Sequence, residues 1–335
     1  MKLTVDLKEN SYDIIIKRHS LEHLDEYLDP SRRVLIISDD GIPNDYIQIV
    51  SKQFPNGNSL TFSKGEENKN LNTYSKIIST LSTLRFTRKD MIIALGGGLT
   101  SDLAGFVASS YMRGIDFVII PTTLLSQVDA SIGGKVGINF NGIKNLVGAF
   151  YQPKKVIIDS ETLKTLDERL LHEGLVEAIK MAATSDKELF SLIEKSENLE
   201  KDIDEIIYRS LLIKKGVVEK DEKESSLRQV LNFGHTVGHA MESLSQGEFF
   251  HGECVGMGML YFSYGEARQR IEKLLDKYNL PKGHSFSVDD LMNMISHDKK
   301  SANNNIIVVK VRNIGEFSLE KMSFEDIKEE IKNEK

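Results

Sequence analysis

The sequence predicts an α/β nucleotide-binding domain with a Rossmann-like parallel sheet, followed by a mainly α-helical domain. The chain has 335 residues, more than one hydrophobic core usually serves. Short continuous apolar runs in the first half end at glycine-rich or Pro-Thr-Thr turns, as strands buried in a parallel sheet do. From about Asp167 onward the apolar periodicity is mostly helical. We therefore predict two domains, residues 1–168 and 169–335.

The elements of the first half alternate between strands and helices. Leu3–Leu7 and Tyr12–Ile16 alternate apolar and polar residues, which predicts an antiparallel hairpin. Parallel strands are predicted at Val34–Ile37, Met91–Leu95 and Phe117–Ile120, with helices at Leu71–Leu84 and Leu99–Ser110. In the second half, long helical segments are predicted over Glu188–Lys220 and Val255–Tyr278, and Asn305–Val311 is the one predicted strand.

Composition and charge exclude several classes of protein. A net charge of -7 argues against general nucleic-acid binding, which needs a basic surface. No apolar run approaches the roughly 18 residues that a membrane span requires, and the N-terminus lacks the apolar core of a signal peptide. Cys254 is the only cysteine, so an intrachain disulfide is impossible. These features predict a cytoplasmic enzyme without a membrane or nucleic-acid partner.

The segment Gly96-Gly97-Gly98 follows a predicted strand and opens a helix. Glycines there let the backbone approach a phosphate, and the helix N-terminus offers unpaired N–H groups. The spacing differs from G-x-G-x-x-G, so a tight structural turn is the alternative, and Asp102 could simply cap the helix.

Residues 129–139 combine small side chains with one acid, Asp129, and one base, Lys135. A lysine in a glycine-rich segment often meets an anion, although a solvated surface lysine is the commoner case. The cluster of Arg113, Lys135 and Lys144 around small-residue loops favours an anionic ligand.

Three of the eight histidines fall between Asn232 and His251, within twenty residues. His235 and His239 are four apart, and on a helix they share one face. Neutral imidazole is the commonest protein ligand for zinc-like metals, which predicts a metal site. A lone histidine would more often be a satisfied structural residue.

Other polar residues are predicted to lie in apolar surroundings. Glu177 and Lys180 are three apart on a predicted helix with apolar neighbours, as a salt bridge or a site would be. Polar residues at intervals of 4, 3 and 4 predict one helical stripe, made of Arg228, Asn232, His235 and His239. Buried polar stripes need partners, so a ligand-lined cavity is predicted.

Several blocks, in order from about Asp39 to Lys300, together resemble the 3-dehydroquinate synthase family. They are Gly96-Gly97-Gly98, Asp102-Leu103-Ala104-Gly105-Phe106, Tyr111-Met112-Arg113-Gly114, Pro121-Thr122-Thr123-Leu124-Leu125, Gln127-Val128-Asp129, Gly133-Gly134-Lys135, Lys144-Asn145, Gly148-Ala149-Phe150 and Leu231-Asn232-Phe233-Gly234-His235. The resemblance implies a dehydroquinate synthase-like fold with the active site in the cleft between the domains.

The resemblance also implies an activity and its cofactors. The enzyme would use NAD and one divalent metal, zinc or cobalt, to convert 3-deoxy-D-arabino-heptulosonate 7-phosphate into 3-dehydroquinate and phosphate in the shikimate pathway. NAD would take a hydride from the C5 alcohol and return it after phosphate is eliminated, and an intramolecular aldol would close the ring. A homodimer is expected from the family alone.

The resemblance assigns roles to individual residues. The implied metal ligands are Glu177, His235 and His251, which leaves His239 for substrate contact and proton movement. Implied catalytic residues are Asp129, Lys135, Lys180, His239, Arg228 and Asn232. Implied substrate-binding residues are Arg113, at the phosphate end, Asn145, Lys214, and Lys299 or Lys300. The implied NAD-binding residues are Asp39, Glu66, Lys69, Gly97, Gly98, Asp102, Thr122, Thr123, Lys135, Lys144, Thr162 and Thr165.

The chain departs from the family pattern at three places. Ser101 replaces a usual glycine, Val136 a usual threonine, and Met181-Ala182 a common Tyr-Gly pair. Ser101 is expected to add a side chain near the pyrophosphate, but no implied catalytic residue is lost. The alternatives are another sugar-phosphate cyclase, a metal-dependent polyol dehydrogenase, or a non-catalytic protein that kept the fold.

Overall fold

A computed structural model describes residues 1–223, 227–298 and 305–333 of the chain. The chain divides into two compact units, Met1–Asp167 and Glu168–Lys335. Within the described ranges, no helix has the length and apolar content needed to cross a membrane.

The first unit is built on a seven-stranded sheet. Its elements are β1 (Lys2–Val5), β2 (Tyr12–Ile16), β3 (Val34–Asp39), α1 (Asn44–Gln53), β4 (Asn58–Phe62), α2 (Leu71–Thr83), β5 (Met91–Gly96), α3 (Gly98–Ser110), β6 (Asp116–Pro121), β7 (Lys135–Phe140), β8 (Ile143–Phe150) and β9 (Lys155–Ile158). The strand order is β1-β2-β9-β6-β5-β3-β4. β1 and β2 pair antiparallel, and the remaining neighbours pair parallel.

The central strands are buried because both faces of the sheet are covered. Every residue of β5 is buried, and Val34, Ile36, Ile93 and Val118 belong to one apolar cluster. Since parallel strands run the same way, the carboxyl ends of β3, β5, β6 and β9 meet along one edge of the sheet. This edge is where open α/β sheets usually bind ligands. The predicted hairpin, buried strands and helices of this half are confirmed within one or two residues at most ends.

β7 and β8 form a separate antiparallel hairpin, where the sequence predicted small-residue loops. The hairpin turns at Asn141 and Gly142, whose φ angles are 50° and 77°. Two positive φ values are typical of the type I′ turn that matches strand twist. The pairing register shifts between the pairs Ile138–Val147 and Phe140–Ile143, so β8 carries extra residues, as in a β-bulge, opposite Asn139.

The second unit is mainly helical. Its elements are α4 (Glu168–Ser185), α5 (Lys187–Lys195), α6 (Leu199–Lys220), α7 (His235–Ser245), α8 (His251–Tyr261), α9 (Gly265–Lys277), α10 (Val288–Asp298), β10 (Asn305–Lys310), β11 (Ser318–Ser323) and α11 (Phe324–Asn333). β10 and β11 pair antiparallel in a two-stranded sheet.

The two long helical segments predicted in the second unit are helical but each contains a break, and one strand was missed. The segment 188–220 is two helices, because the Asn198 side chain accepts a hydrogen bond from Lys201 N and starts a new helix. The segment 255–278 is likewise divided, between Tyr261 and Gly265. The sequence also missed β11, in which only Met322 is buried, so no alternation of apolar residues marks it.

Candidate active site

Helix α4 carries a buried ion pair between Glu177 and Lys180. The two residues are 1 % and 2 % exposed, and the Lys180 ammonium contacts Glu177 Oε2. All residues of α4 from Glu173 to Thr184 are buried. A buried charge is costly unless it is paired, and the predicted pair of Glu177 and Lys180 is present.

Three histidines of α7 and α8 lie together, and two of them, His235 and His251, reach this carboxylate. His235 is the first residue of α7, His239 follows one turn later, and His251 is the first residue of α8. Gly234 precedes His235 with φ 77°, and a Cβ there would lie 2.5 Å from the carbonyl oxygen of Val255. Glycine is therefore needed at this position for α7 to begin where it does, close against α8.

The histidines and Glu177 lie close together, with donor atoms at or somewhat beyond the spacing found around a bound ion. Ring nitrogens of His235, His239 and His251 lie within 4.8 Å of one another. Glu177 Oε1 is 3.8 Å from His235 Nε2 and 3.5 Å from His251 Nε2. Donors on a tetrahedral zinc ion lie roughly 3.3 to 3.6 Å apart. Apart from the ion pair, neither Glu177 oxygen accepts a hydrogen bond from a described residue. This donor set fits a divalent cation.

The electrostatics of the metal-free site set the protonation of two proposed ligands. Burial would raise the pKa of Glu177, but the charge of Lys180, helped by His251 and His235, holds it well below its ordinary value. Burial, followed by the charge of Lys180, lowers the pKa of His235 well below its ordinary range. Glu177 is thus ionised and His235 neutral, the forms in which both side chains bind metals.

His251 has a second carboxylate partner. Its Nδ1 lies 3.0 Å from Glu242 Oε2. Burial would lower the pKa of His251, but Glu177 and Glu242 outweigh it and raise the pKa to about 10. An ion binding at Nε2 would therefore displace a proton, and Glu242 would fix the ring as carboxylates beside metal-bound histidines do.

In the first unit, polar groups line the carboxyl edge of the sheet. Asp39 ends β3, and its Oδ2 accepts a hydrogen bond from Thr100 Oγ1 at 2.8 Å. Gly97 and Gly98 open α3, whose N-terminus has no side-chain cap. Thr122 and Thr123 follow β6 directly. The uncapped N–H groups of α3 suit an anion such as a pyrophosphate.

Further residues of this edge are held by a short helical turn after β6. The turn, Ser126–Ala130, is a π-helix that contains Asp129. Gln127 Nε2 donates to Thr162 Oγ1 at 3.0 Å, which fixes the loop after β9. Thr165 lies 3.0 Å from the hydroxyl of Tyr46, oxygen to oxygen. π-Helical turns occur often at functional sites.

A buried lysine links α3 to the hairpin. Lys69 is 3 % exposed, and its ammonium donates to Asp102 Oδ2 at 2.6 Å and to Asn145 Oδ1 at 2.5 Å. Asp102 is therefore an ion-pair partner in addition to lying in the first turns of α3. Lys135 and Lys144 lie on the hairpin strands β7 and β8, both exposed.

Comparisons with known proteins show the family of this chain. Residues 59–173 match the 3-dehydroquinate synthase N-terminal family and residues 174–301 the C-terminal family. The 3-dehydroquinate synthase of Lactococcus lactis subsp. cremoris is 41% identical, over 99% of this chain and 100% of that protein. The chain belongs to the 3-dehydroquinate synthase family. The resemblance stated from the sequence blocks is confirmed.

Solved structures of related cyclases share the fold of this 3-dehydroquinate synthase family member. A 2-deoxy-scyllo-inosose synthase complexed with carbaglucose-6-phosphate, NAD+ and Co2+ has a TM-score of 0.88 at 25% identity, over 99% of this chain and 100% of that one. The 2-epi-5-epi-valiolone synthase of Streptomyces hygroscopicus, with NAD+ and Zn2+ bound, has a TM-score of 0.88 at 25% identity, covering 98% of each. The predicted dehydroquinate synthase-like fold is confirmed.

Not every residue that the family resemblance implies joins these clusters. The polar stripe is not one helix, because Arg228 and Asn232 lie on a 3-10 helix, Leu227–Asn232, that ends before Gly234. Arg228 is buried and donates to the Glu222 carbonyl at 2.9 Å, and Lys214 is buried in α6. Arg113 is exposed on a turn with φ 64°. Lys299 and Lys300 lie outside the described residues.

The departures from the family pattern have local explanations. Ser101 is 2 % exposed, and its hydroxyl donates to the Gly97 carbonyl at 3.2 Å, so it lies within the helix packing. Val136 is buried against α3 at Gly105, where its Cγ1 would lie 2.4 Å from an added Cβ. Met181 and Ala182 are fully buried in α4.

Glu242 is a neighbour of the candidate metal site that sequence reasoning missed. It lies seven residues after His235 on α7, which is two helical turns and therefore the same face. That spacing could have identified it. Asn139 was also missed, because no periodicity marks a residue where the strand pairing is irregular.

Proposed function

We propose that this protein is a 3-dehydroquinate synthase that converts 3-deoxy-D-arabino-heptulosonate 7-phosphate into 3-dehydroquinate and phosphate. The observation that carries the proposal is the convergence of Glu177, His235 and His251 beside buried Lys180, in a chain 41% identical to a protein of that name. The other cyclase structures are only 25% identical, which favours this substrate over theirs.

The second unit would hold the divalent metal, zinc or cobalt. Glu177, His235 and His251 are the proposed ligands, and a metal with three protein ligands keeps a coordination position for substrate hydroxyls. When bound, it would polarise those hydroxyls. His239, the more exposed histidine, would contact the substrate and move a proton. Lys180, Lys214, Arg228 and Asn232, with Lys299 or Lys300, would contact the carboxylate-bearing and phosphate-bearing substrate.

The first unit would hold NAD, which supplies reversible hydride acceptance. The glycines at the start of α3 would let the pyrophosphate approach the helix N-terminus. Asp39, Glu66, Lys69, Asp102 and Thr122 would contact the cofactor, together with Thr123, Lys135, Lys144, Thr162 and Thr165. Asp129, Lys135 and Asn145 would face the substrate, with Arg113 at its phosphate end. The proposed reaction thus uses residues of both units.

The proposal is tested by incubating purified protein with the heptulosonate phosphate, NAD and zinc. Phosphate and 3-dehydroquinate should form in equal amounts while NADH does not accumulate, because the hydride returns to the substrate. Protein stripped with a chelator should lose the activity and recover it on addition of zinc or cobalt. Absence of phosphate release from fully loaded protein would contradict the proposal.

The same assay separates the alternatives. Turnover of glucose 6-phosphate but not the heptulosonate phosphate would indicate another sugar-phosphate cyclase. Steady NADH formation from polyols would indicate a dehydrogenase. Absence of turnover with all of these substrates would indicate a non-catalytic protein.

A homodimer in the cytoplasm is proposed from the family. Several apolar side chains of β8 are exposed, among them Ile143, Leu146 and Phe150, and a second copy could cover them. Light scattering on purified protein measures the oligomeric state. A mass of one chain at all concentrations would contradict the dimer, and cell fractionation tests the location.

A further inference from the structure

Asn139 lies where the β7–β8 hairpin departs from regular pairing. The register shift between Ile138 and Phe140 leaves Asn139 opposite the extra residues of β8, 144 to 146. Its backbone N–H donates to the Lys69 carbonyl at 2.8 Å instead of to β8. Bulges re-aim side chains and often lie beside functional sites. At this position the side chain of Asn139, rather than its backbone N–H, is bonded to β8.

The Asn139 side chain contacts two residues that belong to different parts of the proposed site. Its Nδ2 donates to Glu66 Oε1 at 2.9 Å and to the Glu66 carbonyl at 3.2 Å. Its Oδ1 accepts the backbone N–H of Asn145 at 2.8 Å. Glu66 is a proposed NAD contact and Asn145 a proposed substrate contact. One amide therefore uses its donors on the cofactor side and its acceptor on the substrate side.

The contact with Asn145 also stabilises an uncommon backbone conformation. Asn145 has φ 53°, in the left-handed region of backbone conformation. Residues other than glycine are uncommon there, although asparagine adopts it more often than most. In that conformation its Oδ1 accepts the 2.5 Å hydrogen bond from Lys69. Lys69 also binds Asp102. Loss of the Asn139 acceptor would free Asn145 to leave this conformation and would remove one of the Lys69 partners.

We propose that Asn139 is a positioning residue that holds Glu66 for NAD and Asn145 for the substrate. It contacts neither ligand itself and acts through these two residues. The inference rests on the proposed function. It predicts that the Nδ2 group of Asn139 affects the Kd for NAD, and that its Oδ1 atom affects the KM for the substrate.

Two substitutions separate these effects. Asn139→Ala removes the two hydrogen bonds to Glu66 and the one from Asn145. It should raise the Kd for NAD and the KM for the substrate about tenfold each, as expected for the loss of one or two hydrogen bonds. Asn139→Asp keeps an acceptor for Asn145 but sets a carboxylate against Glu66. It should raise the NAD Kd by about tenfold or more and leave the KM within about twofold of wild type.

A rescue variant distinguishes positioning from a structural role. In Asn139→Asp combined with Glu66→Gln, the new amide can donate to the new carboxylate, which restores the hydrogen bond in reverse. The double variant should bind NAD no more weakly than Glu66→Gln alone. NAD affinity is measured by titration calorimetry, and Asn58→Ala, at an exposed position on β4, is the matched control.

Failure of this inference can be told apart from failure of the proposed function. If wild-type protein neither binds NAD nor turns over the substrate, the proposed function fails. If wild type does both, the inference is overturned by Asn139 variants with lowered melting temperatures but unchanged Kd and KM. It is also overturned if the double variant shows the two single losses added together.

Discussion

The buried charged side chains around Glu177 are paired with groups of opposite charge. Lys180 neutralises the carboxylate when no metal is bound, and Glu242 faces the far nitrogen of His251. Of the three proposed ligands, Glu177 and His235 are already in their metal-binding forms, an ionised acid and a neutral imidazole. His251 would have to release a proton, and Lys180 would have to give up part of its contact with Glu177, so we expect metal binding to weaken as pH falls.

His251 and His239 should differ in their effect on metal content. His251→Ala removes a proposed ligand, so bound zinc should fall to less than about a tenth of the protein concentration after dialysis, and activity should be lost with it. His239→Ala should keep stoichiometric zinc while kcat falls by about 10² to 10⁴. Metal is measured by elemental analysis, with His23→Ala, an exposed histidine of the first unit, as control. Full zinc in His251→Ala would show that the ligand assignment is wrong.

Glu173 should make the metal-free protein less stable as pH rises. Burial, only partly offset by the hydrogen bond from Gly252 N, raises its pKa from 4.5 to about 7. The folded state therefore binds this proton more readily than the unfolded state. The free energy of unfolding therefore falls as pH rises from about 4.5 to about 7, by roughly 3 kcal/mol in total.

The Glu173→Gln variant cannot ionise, so it avoids the loss of stability at high pH. Its amide oxygen can still accept the hydrogen bond from Gly252 N. Its gain in free energy of unfolding over wild type should be near zero at about pH 4.5 and approach roughly 3 kcal/mol at about pH 8. Urea unfolding in the presence of a chelator measures it. Glu205→Gln, at an exposed position of α6, should show no such trend. An equal gain at both pH values would contradict the assignment.

At the residue scale, the sequence predicts types of side chain better than their partners. The Glu177–Lys180 pair follows from helical spacing because both residues lie on one regular helix. The sequence does not decide whether His239 is a fourth ligand. Its ring nitrogen lies within 4.8 Å of those of the other two histidines. That distinction depends on side-chain orientation across two helices, and a one-dimensional spacing does not encode it.

At the scale of elements, the break before α7 sets the direction of the histidines. A continuous helix from Arg228 to His239 would place its polar residues in one stripe. Instead, a 3-10 helix ends at Asn232 and α7 starts at His235, with Gly234 between them in the left-handed region. The break lets His235 begin a helix, where the chain can turn it toward Glu177.

Gly234→Ala should disturb this break. The new Cβ would lie 2.5 Å from the Val255 carbonyl oxygen, and φ 77° is unfavourable for alanine. We expect a loss of at least about 2 kcal/mol in the free energy of unfolding, together with weaker zinc binding. Chemical unfolding and zinc titration measure the two effects.

Gly216→Ala is the matched control. Gly216 lies within α6, and nothing lies within 4 Å of an added Cβ. This substitution should stabilise the protein by roughly 0.5 to 1 kcal/mol, because alanine loses less entropy in a helix. Similar destabilisation by both substitutions would show that the Gly234 effect is not specific to the break.

The elements that could be predicted are those with regular burial. β3, β5 and β6 are continuous apolar runs because both of their faces are covered, so their positions follow from the sequence. The strands β8 and β11 are largely exposed and carry no such pattern. The hairpin β7–β8 is specified by the Asn141-Gly142 turn and by pairing of distant residues, which composition alone presented as loops.

At the scale of the whole molecule, the candidate cofactor residues are divided between the two units. The residues proposed for NAD all precede Asp167, and the proposed metal ligands all follow Glu168. The predicted catalytic residues fall in both units. From these assignments we expect each cofactor to bind its own unit before a substrate is present.

Hydrogen exchange should show this division directly. Zinc alone should slow amide exchange around the starts of α7 and α8, because it joins two helix termini through His235 and His251. NAD alone should slow exchange at the start of α3 and in the β7–β8 hairpin, where Lys69 and Asn139 connect the segments. Binding at a large excess over Kd stabilises by a few kcal/mol, which corresponds to slowing of exchange by about tenfold or more. Protein with chelator and no NAD is the reference, and His251→Ala should lose the zinc effect alone. Protection of the first unit by zinc, or of α7 by NAD alone, would contradict the proposed division of the two cofactors.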